Sequence, residues 1–188
     1  MLEEALQFAK KAHGGQLRKG TNKPYIVHPI EVSEIVSGMT SDEEIIAASL
    51  LHDTIEDCPG VTKEMLARLF GSRVAHIVAC ESEDKSKSWH ERKSYTIDYL
   101  KTAPREVQMV ALGDKLSNMR DIDRDLPLVG KELWQRFRMK DKNTIGWYYF
   151  GILFSLEKDF LKEAAFLEYS QLVHKNFDLT EIVQTKNI

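Results

Sequence analysis

The run Ile45-Ile46-Ala47-Ala48-Ser49-Leu50-Leu51 passes without a break into His52-Asp53-Thr54-Ile55-Glu56-Asp57. An apolar stretch of this kind, entered by Ser41 and Glu44 at capping-box spacing, reads as a helix buried on most sides. It is expected to run to about Asp57, where Cys58-Pro59-Gly60 stops it. Residues four apart share a helical stripe, so His52 would sit above Glu56 and Asp53 above Asp57. Four ionisable groups at the end of a buried helix are costly unless a cation, partners or water compensate them. A frayed polar helix end in solvent has the same spacing, and this segment alone leaves both readings open.

Helical periodicity dominates the rest of the chain, and no alternating strand pattern interrupts it. Leu2, Ala5, Leu6, Ala9 and Ala12 mark one face of a first helix. A polar loop follows over Gly14 to Lys23, and Pro29 suits the first turn of a second helix. Thr62 is placed to cap a helix that Gly71 ends. Further helices are expected from about Trp89 to Leu100 and from Pro104 to about Arg120, with Leu126-Pro127 in a connection and two or three helices beyond. The expected fold class is all-α, with one helical domain over residues 1–178 and a polar C-terminal tail over 179–188.

Composition narrows the function classes. A net charge of −3 gives no electrostatic reason to expect nucleic acid or an anionic membrane as partner. The longest uncharged run, Asn143 to Leu156, is short of the roughly 20 residues a membrane span requires. Cys58 and Cys80 form neither a disulfide framework nor a zinc ribbon, and a cytoplasmic location is expected.

Two further positions add chemistry to the central helix. His28 stands before Pro29, and Asp114 interrupts the apolar segment Val110-Ala111-Leu112-Gly113-Asp114-Lys115-Leu116. A lone carboxylate there needs a strong partner. His28, His52, Asp53 and Asp114 together offer two imidazoles and two carboxylates, a set suited to Mn²⁺, Fe²⁺ or Zn²⁺.

At these residues the sequence resembles the HD-domain metal-dependent phosphohydrolases, whose order is His…His-Asp…Asp. Within them it is most similar to the hydrolase domain of the RelA/SpoT enzymes and to the small alarmone hydrolases. The matching segments are Gln16-Leu17-Arg18-Lys19-Gly20 with Pro24-Tyr25-Ile26-Val27-His28-Pro29, then Ala48 to Asp57, then Glu83-Asp84-Lys85-Ser86 with Glu91-Arg92-Lys93, then Leu112 to Arg120. The resemblance implies a single HD-type helical bundle. It also implies that Mn²⁺, or another divalent transition metal, is held by His28, His52, Asp53 and Asp114. Glu56 and Asp57 match the family's catalytic acidic pair, Arg18 and Lys19 its guanine-side basic pair, and Asn118 a polar nucleotide contact. The implied reaction removes the 3′ pyrophosphate from guanosine tetraphosphate or pentaphosphate (ppGpp, pppGpp), returning GDP or GTP. Gly113 stands where the family usually carries alanine, a change expected only to loosen packing beside Asp114.

Other residues have plainer readings. His13, His76, His90 and His174 match no ligand motif and are expected at the surface or behind the ligands. As a charge run, Glu83-Asp84-Lys85 with Trp89, Arg92 and Lys93 reads as solvated surface; the resemblance adds the alternative of a polar loop and helix near a pocket mouth. The Trp147-Tyr148-Tyr149-Phe150 stretch is expected to be mainly core, with part of its wide apolar stripe available for a homo-oligomer interface. The same metal chemistry on another nucleotide, such as NADPH or a nucleoside phosphate, is the nearest alternative. A non-catalytic helical regulatory module is the alternative from a different class.

Overall fold

The computed structural model describes residues 1–185. Among them the regular structure is helical, apart from an isolated antiparallel bridge between Leu17 and Pro24. The chain forms two compact units. The first comprises Met1–Ser86 and Pro104–Asp114; the second takes in Lys87–Ala103 and the chain from Lys115 onward.

The first unit contains α1 (Leu2–Ala12), α2 (Val27–Ser37), α3 (Glu43–Leu51), the single turn α4 (Thr54–Asp57), α5 (Lys63–Phe70) and α6 (Ser72–Glu81). Apolar on nearly every side, α3 buries Ile45, Ala47, Ala48, Ser49, Leu50 and Leu51. It therefore takes the centre, with α1, α2 and α6 packed around it. The amphipathic α1 and α5 bury single stripes, Ala5 and Ala9 on one and Leu66 and Phe70 on the other. Thr62 caps α5 as expected, accepting from the Met65 amide at 3.2 Å. The cap of α3 is Asp42 rather than Ser41. Its carboxylate accepts from the Glu44 amide at 3.0 Å, and a negative side chain suits the positive end of the helix.

The second unit begins with α7 (Trp89–Leu100), closed at its start by a full capping box between Ser88 and Glu91. α8 (Arg105–Val129) starts in the first unit and continues into the second. It runs past Arg120 and through Pro127, which the sequence placed in a connection. Proline in the last turn removes only one ladder bond. Side chains just before it are well anchored: Asp123 by Lys175 and Asn176, Asp125 by Arg136. A 3₁₀ stretch over Gly130–Arg136 leads to α9 (Lys142–Phe160), α10 (Ala164–Asn176) and α11 (Leu179–Thr185). α7, α10 and α11 pack on α9, whose Tyr148, Tyr149 and Phe150 are core. Gly146 permits the close approach there, since a Cβ would come within 2.8 Å of both Ile182 and Phe177. Residues 179–185 of the expected polar tail thus form a helix with Ile182 buried, and 186–188 lie outside the described residues. No helix among the described residues is long and apolar enough to cross a membrane.

Candidate metal centre and active site

α3 does not continue to Asp57. It ends at Leu51, His52 and Asp53 form a turn, and α4 restarts at Thr54. Side chains capture carbonyls at this point: the Ser49 hydroxyl donates to Ile46 O at 2.7 Å, His52 Nδ1 to Ser49 O at 2.8 Å, and the Thr54 hydroxyl to Leu51 O at 2.7 Å. Such bonds compete with the helical ladder, so the expected unbroken stripe gives way to a turn. The same bond fixes the His52 tautomer, because a carbonyl accepts only from a protonated Nδ1. Nε2 is left as the nitrogen that could face a metal.

That nitrogen sits in a cluster of ligand atoms in the first unit. His28, His52 and Asp114 are all buried, and one ligand atom from each lies within 4.8 Å of the others. His28 Nε2 is 3.2 Å from Asp114 Oδ1, and His52 Nε2 is 3.9 Å from the same oxygen. Asp53 joins from the turn, its Oδ2 at 3.0 Å from His52 Nε2 and 3.6 Å from His28 Nε2. All four expected ligands are therefore together. α2 supplies His28, the α3–α4 turn supplies His52 and Asp53, and α8 supplies Asp114.

Gly113 lets α8 come this close to α2. A Cβ there would meet Val36 Cγ2 at 3.0 Å, Val32 Cγ1 at 3.1 Å and the Val32 carbonyl at 3.3 Å. The glycine tightens the packing beside Asp114, contrary to the expected loosening.

The electrostatics of the cluster favour a cation. Burial pushes the His28 pKa down, which keeps that imidazole neutral. Burial opposes charge on His52 as well, but the Asp53 carboxylate outweighs it and raises His52 to about 9. Asp53 also loses solvation, and the His52 charge more than offsets this, holding it below the usual carboxylate range. A proton on His52 and a divalent cation at this spot would serve the same carboxylates, so the two compete. His52 Nε2 is buried and makes no hydrogen bond despite its closeness to Asp53. A buried ring nitrogen without a hydrogen bond, beside three other ligand atoms, fits a borderline divalent ion that displaces its proton.

Glu56 and Asp57 follow on α4. Glu56 Oε2 accepts from the Glu83 amide at 3.1 Å, and Lys85 Nζ lies 3.6 Å from Glu56 Oε1 and 3.1 Å from Asp57 Oδ1. Lys85 Nζ also donates to the Glu56 carbonyl at 2.7 Å. Burial raises the Glu56 pKa, and neighbouring Asp57 adds to the rise. The loop carrying Lys85 thus clasps the acidic pair, a role the sequence leaves open between solvated surface and a pocket mouth.

The Arg18 guanidinium stands over the Tyr25 ring, 5.5 Å from its centroid, and Lys19 is exposed in the same loop. Asn118 is half-buried on α8, in the second unit. Tyr25 was quoted in a motif without a role, yet its hydroxyl donates to Asp53 Oδ2 at 2.6 Å. Burial and the Asp53 charge raise its phenol pKa further above the ordinary range, so it remains a donor. His13, matched to no motif, is buried. It donates from Nδ1 to Gln16 Oε1 at 2.8 Å, while Gln16 Nε2 donates to the Asp57 carbonyl at 2.9 Å. Burial also pushes the nearby Cys58 thiol up to about 11, which keeps it protonated. No spacing rule marks these supporting residues, because each acts through a contact between segments distant in sequence.

Comparison with known proteins gives concordant matches. A family model described as HD domain matches residues 5–139. Guanosine-3′,5′-bis(diphosphate) 3′-pyrophosphohydrolase MESH1 of Danio rerio is 38% identical over 144 residues, covering 75% of this chain and 77% of that protein. Guanosine-3′,5′-bis(diphosphate) 3′-pyrophosphohydrolase of Vibrio cholerae is 39% identical over 127 residues, covering 64% of this chain and 18% of its own much longer one. The solved structure of a metazoan ortholog of SpoT, described as hydrolysing ppGpp, aligns with a TM-score of 0.78 at 28% identity. That alignment covers 93% of this chain and 94% of the other.

Proposed function

The chain belongs to the HD-domain family of metal-dependent phosphohydrolases, and on that footing we propose that it removes the 3′ pyrophosphate of ppGpp and pppGpp, returning GDP and GTP. The observation that carries this reading is the convergence of His28, His52, Asp53 and Asp114 on one buried spot, in a chain so similar to proteins named for that reaction. In this reading those four residues hold a divalent ion, Mn²⁺. When bound, the ion supplies Lewis acidity toward a phosphate oxygen and lowers the pKa of a water.

The chain's own residues do the rest. His28 presents a neutral nitrogen, His52 gives up its proton to the ion that replaces it, and Asp53 and Asp114 bring the negative charge that makes the spot attractive to a cation. Glu56 is the proton carrier. Burial raises its pKa, in the direction a proton donor needs, and its proton goes to the departing ribose 3′ oxygen. Asp57, held by Lys85, orients the attacking water. Arg18 and Lys19 bind the guanine end of the nucleotide.

The test is pyrophosphate release from ppGpp by Mn²⁺-loaded protein, with NADPH and GTP offered in parallel. Preferential release from ppGpp, lost in Asp53→Ala, is the expected result. Turnover of NADPH or GTP in its place would move the substrate while leaving the hydrolase intact.

A further inference from the structure

Tyr25 makes two contacts that the reaction described above does not use. Its backbone is fixed in the loop that carries Arg18: the Tyr25 amide donates to the Gln16 carbonyl at 2.9 Å, and the Arg18 amide to the Lys23 carbonyl at 2.9 Å. The Leu17–Pro24 bridge closes that loop, and Pro24 restricts the chain just before the tyrosine. One face of the ring carries the Arg18 guanidinium, and the His13 ring lies at 4.8 Å. The hydroxyl, at the far end of the same rigid side chain, donates to Asp53 Oδ2 at 2.6 Å. That oxygen is the one lying 3.0 Å from His52 Nε2 and 3.6 Å from His28 Nε2.

We infer that Tyr25 is a positioning residue: it sets the orientation of the Asp53 carboxylate for the metal and ties that orientation to the loop that holds Arg18. The physical reason lies in the geometry of carboxylate ligands. An aspartate has two oxygens and a soft terminal torsion, so an unsupported Asp53 would lose orientational freedom when it captures an ion. A hydrogen bond from a phenol, whose backbone and ring are both held, removes that freedom beforehand. Hydrogen bonds behind ligating groups typically change metal affinity by about 10–100-fold. Because the same ring supports Arg18, displacement of the loop would reach the ligand through one side chain. Metal and nucleotide binding are then linked, and linkage of this kind is reciprocal.

The inference rests on the metal-site reading above and is independent of which nucleotide is cleaved. The experiment uses the full chain and titrates Mn²⁺ by calorimetry into the parent, Tyr25→Phe and Tyr25→Leu, with kcat and KM measured alongside. Tyr25→Phe keeps the ring under Arg18 and deletes only the hydroxyl. It should weaken Mn²⁺ binding by about 10–100-fold, leave KM for ppGpp near the parental value, and recover kcat as Mn²⁺ is raised. Tyr25→Leu should weaken Mn²⁺ equally and raise KM as well, because the Arg18 support is gone. An unchanged Mn²⁺ dissociation constant in Tyr25→Phe overturns the inference, whatever happens to the melting temperature. Should the parent bind Mn²⁺ yet ignore ppGpp, the substrate reading fails, and the calorimetric comparison still decides the role of Tyr25.

Discussion

Two clusters of charge in the first unit invite comparison. At one, Arg73 reaches Asp42 at 2.8 Å, Glu44 at 2.9 Å and Glu106 at 2.6 Å, joining the cap of α3 to α6 and the start of α8. At the other, His28, His52, Asp53 and Asp114 converge on one spot, with imidazole nitrogens and carboxylate oxygens 3.0–3.9 Å apart. The Arg73 side chain is 38% exposed and its hydrogen bonds are satisfied, whereas His52 is 1% exposed and keeps an orphaned nitrogen. Half-exposed, mutually satisfied charges are a brace. Buried imidazoles and carboxylates gathered around a nitrogen that has no hydrogen bond fit a binding site, because a ligand there repays their desolvation.

This contrast can be broken most decisively at the buried cluster. His52→Ala should abolish Mn²⁺ retention and lower pyrophosphate release by about 10³-fold or more, the loss expected when several kcal/mol of charge stabilisation disappears. Metal analysis and turnover on the same sample check this, and near-parental turnover would make the cluster a second brace. Glu56→Gln should lower kcat by about 10²–10⁴-fold while Mn²⁺ affinity stays unchanged, which separates the proton carrier from the ion site. A parallel loss of metal would instead make Glu56 part of that site.

Effects at the brace should be smaller and confined to stability. Arg73→Met should cost about 1 kcal/mol, given the exposure of the network, and lower the melting temperature by a few degrees with turnover unchanged. Loss of turnover in the folded variant would erase the distinction between the clusters. The smallest effect concerns pH. Arg73 holds the Asp42 pKa below its ordinary value of 3.8. A carboxylate lowered in the folded state contributes stability that is fully present above 3.8 and lost as pH falls through the lower, folded value. The acid limb of the parent should therefore steepen below about pH 4, and Arg73→Met should flatten it. Denaturant melts across that window read the difference.

The brace and the site differ too in how legible they were from sequence. Helix spacing, the Thr62 cap, the Trp89–Leu100 helix and the four residues that cluster could all be read, because each is a local pattern or a residue whose burial demands a partner. The break at His52-Asp53 could not. It arises from side chains of Ser49, His52 and Thr54 taking backbone carbonyls, a competition that apolar periodicity does not register. The sequence places Leu126-Pro127 in a connection, yet the anchored Asp123 and Asp125 carry α8 past it. Tyr25, Gln16, His13 and Lys85 gained their places only through contacts across the fold. Gly113 shows the same limit. Its missing side chain matters because α2 lies against it, and a linear sequence does not say which helix that will be.

One ion held by His28, His52, Asp53 and Asp114 is what we propose makes this chain a hydrolase of ppGpp. The most direct measurement strips the protein of metal, reloads it with Mn²⁺, and records bound metal and pyrophosphate release together for the parent and Asp114→Ala. The account predicts that the parent regains stoichiometric Mn²⁺ and rapid release in step, while the folded variant regains neither. Release that ignores the metal, or persists undiminished in Asp114→Ala, would contradict it.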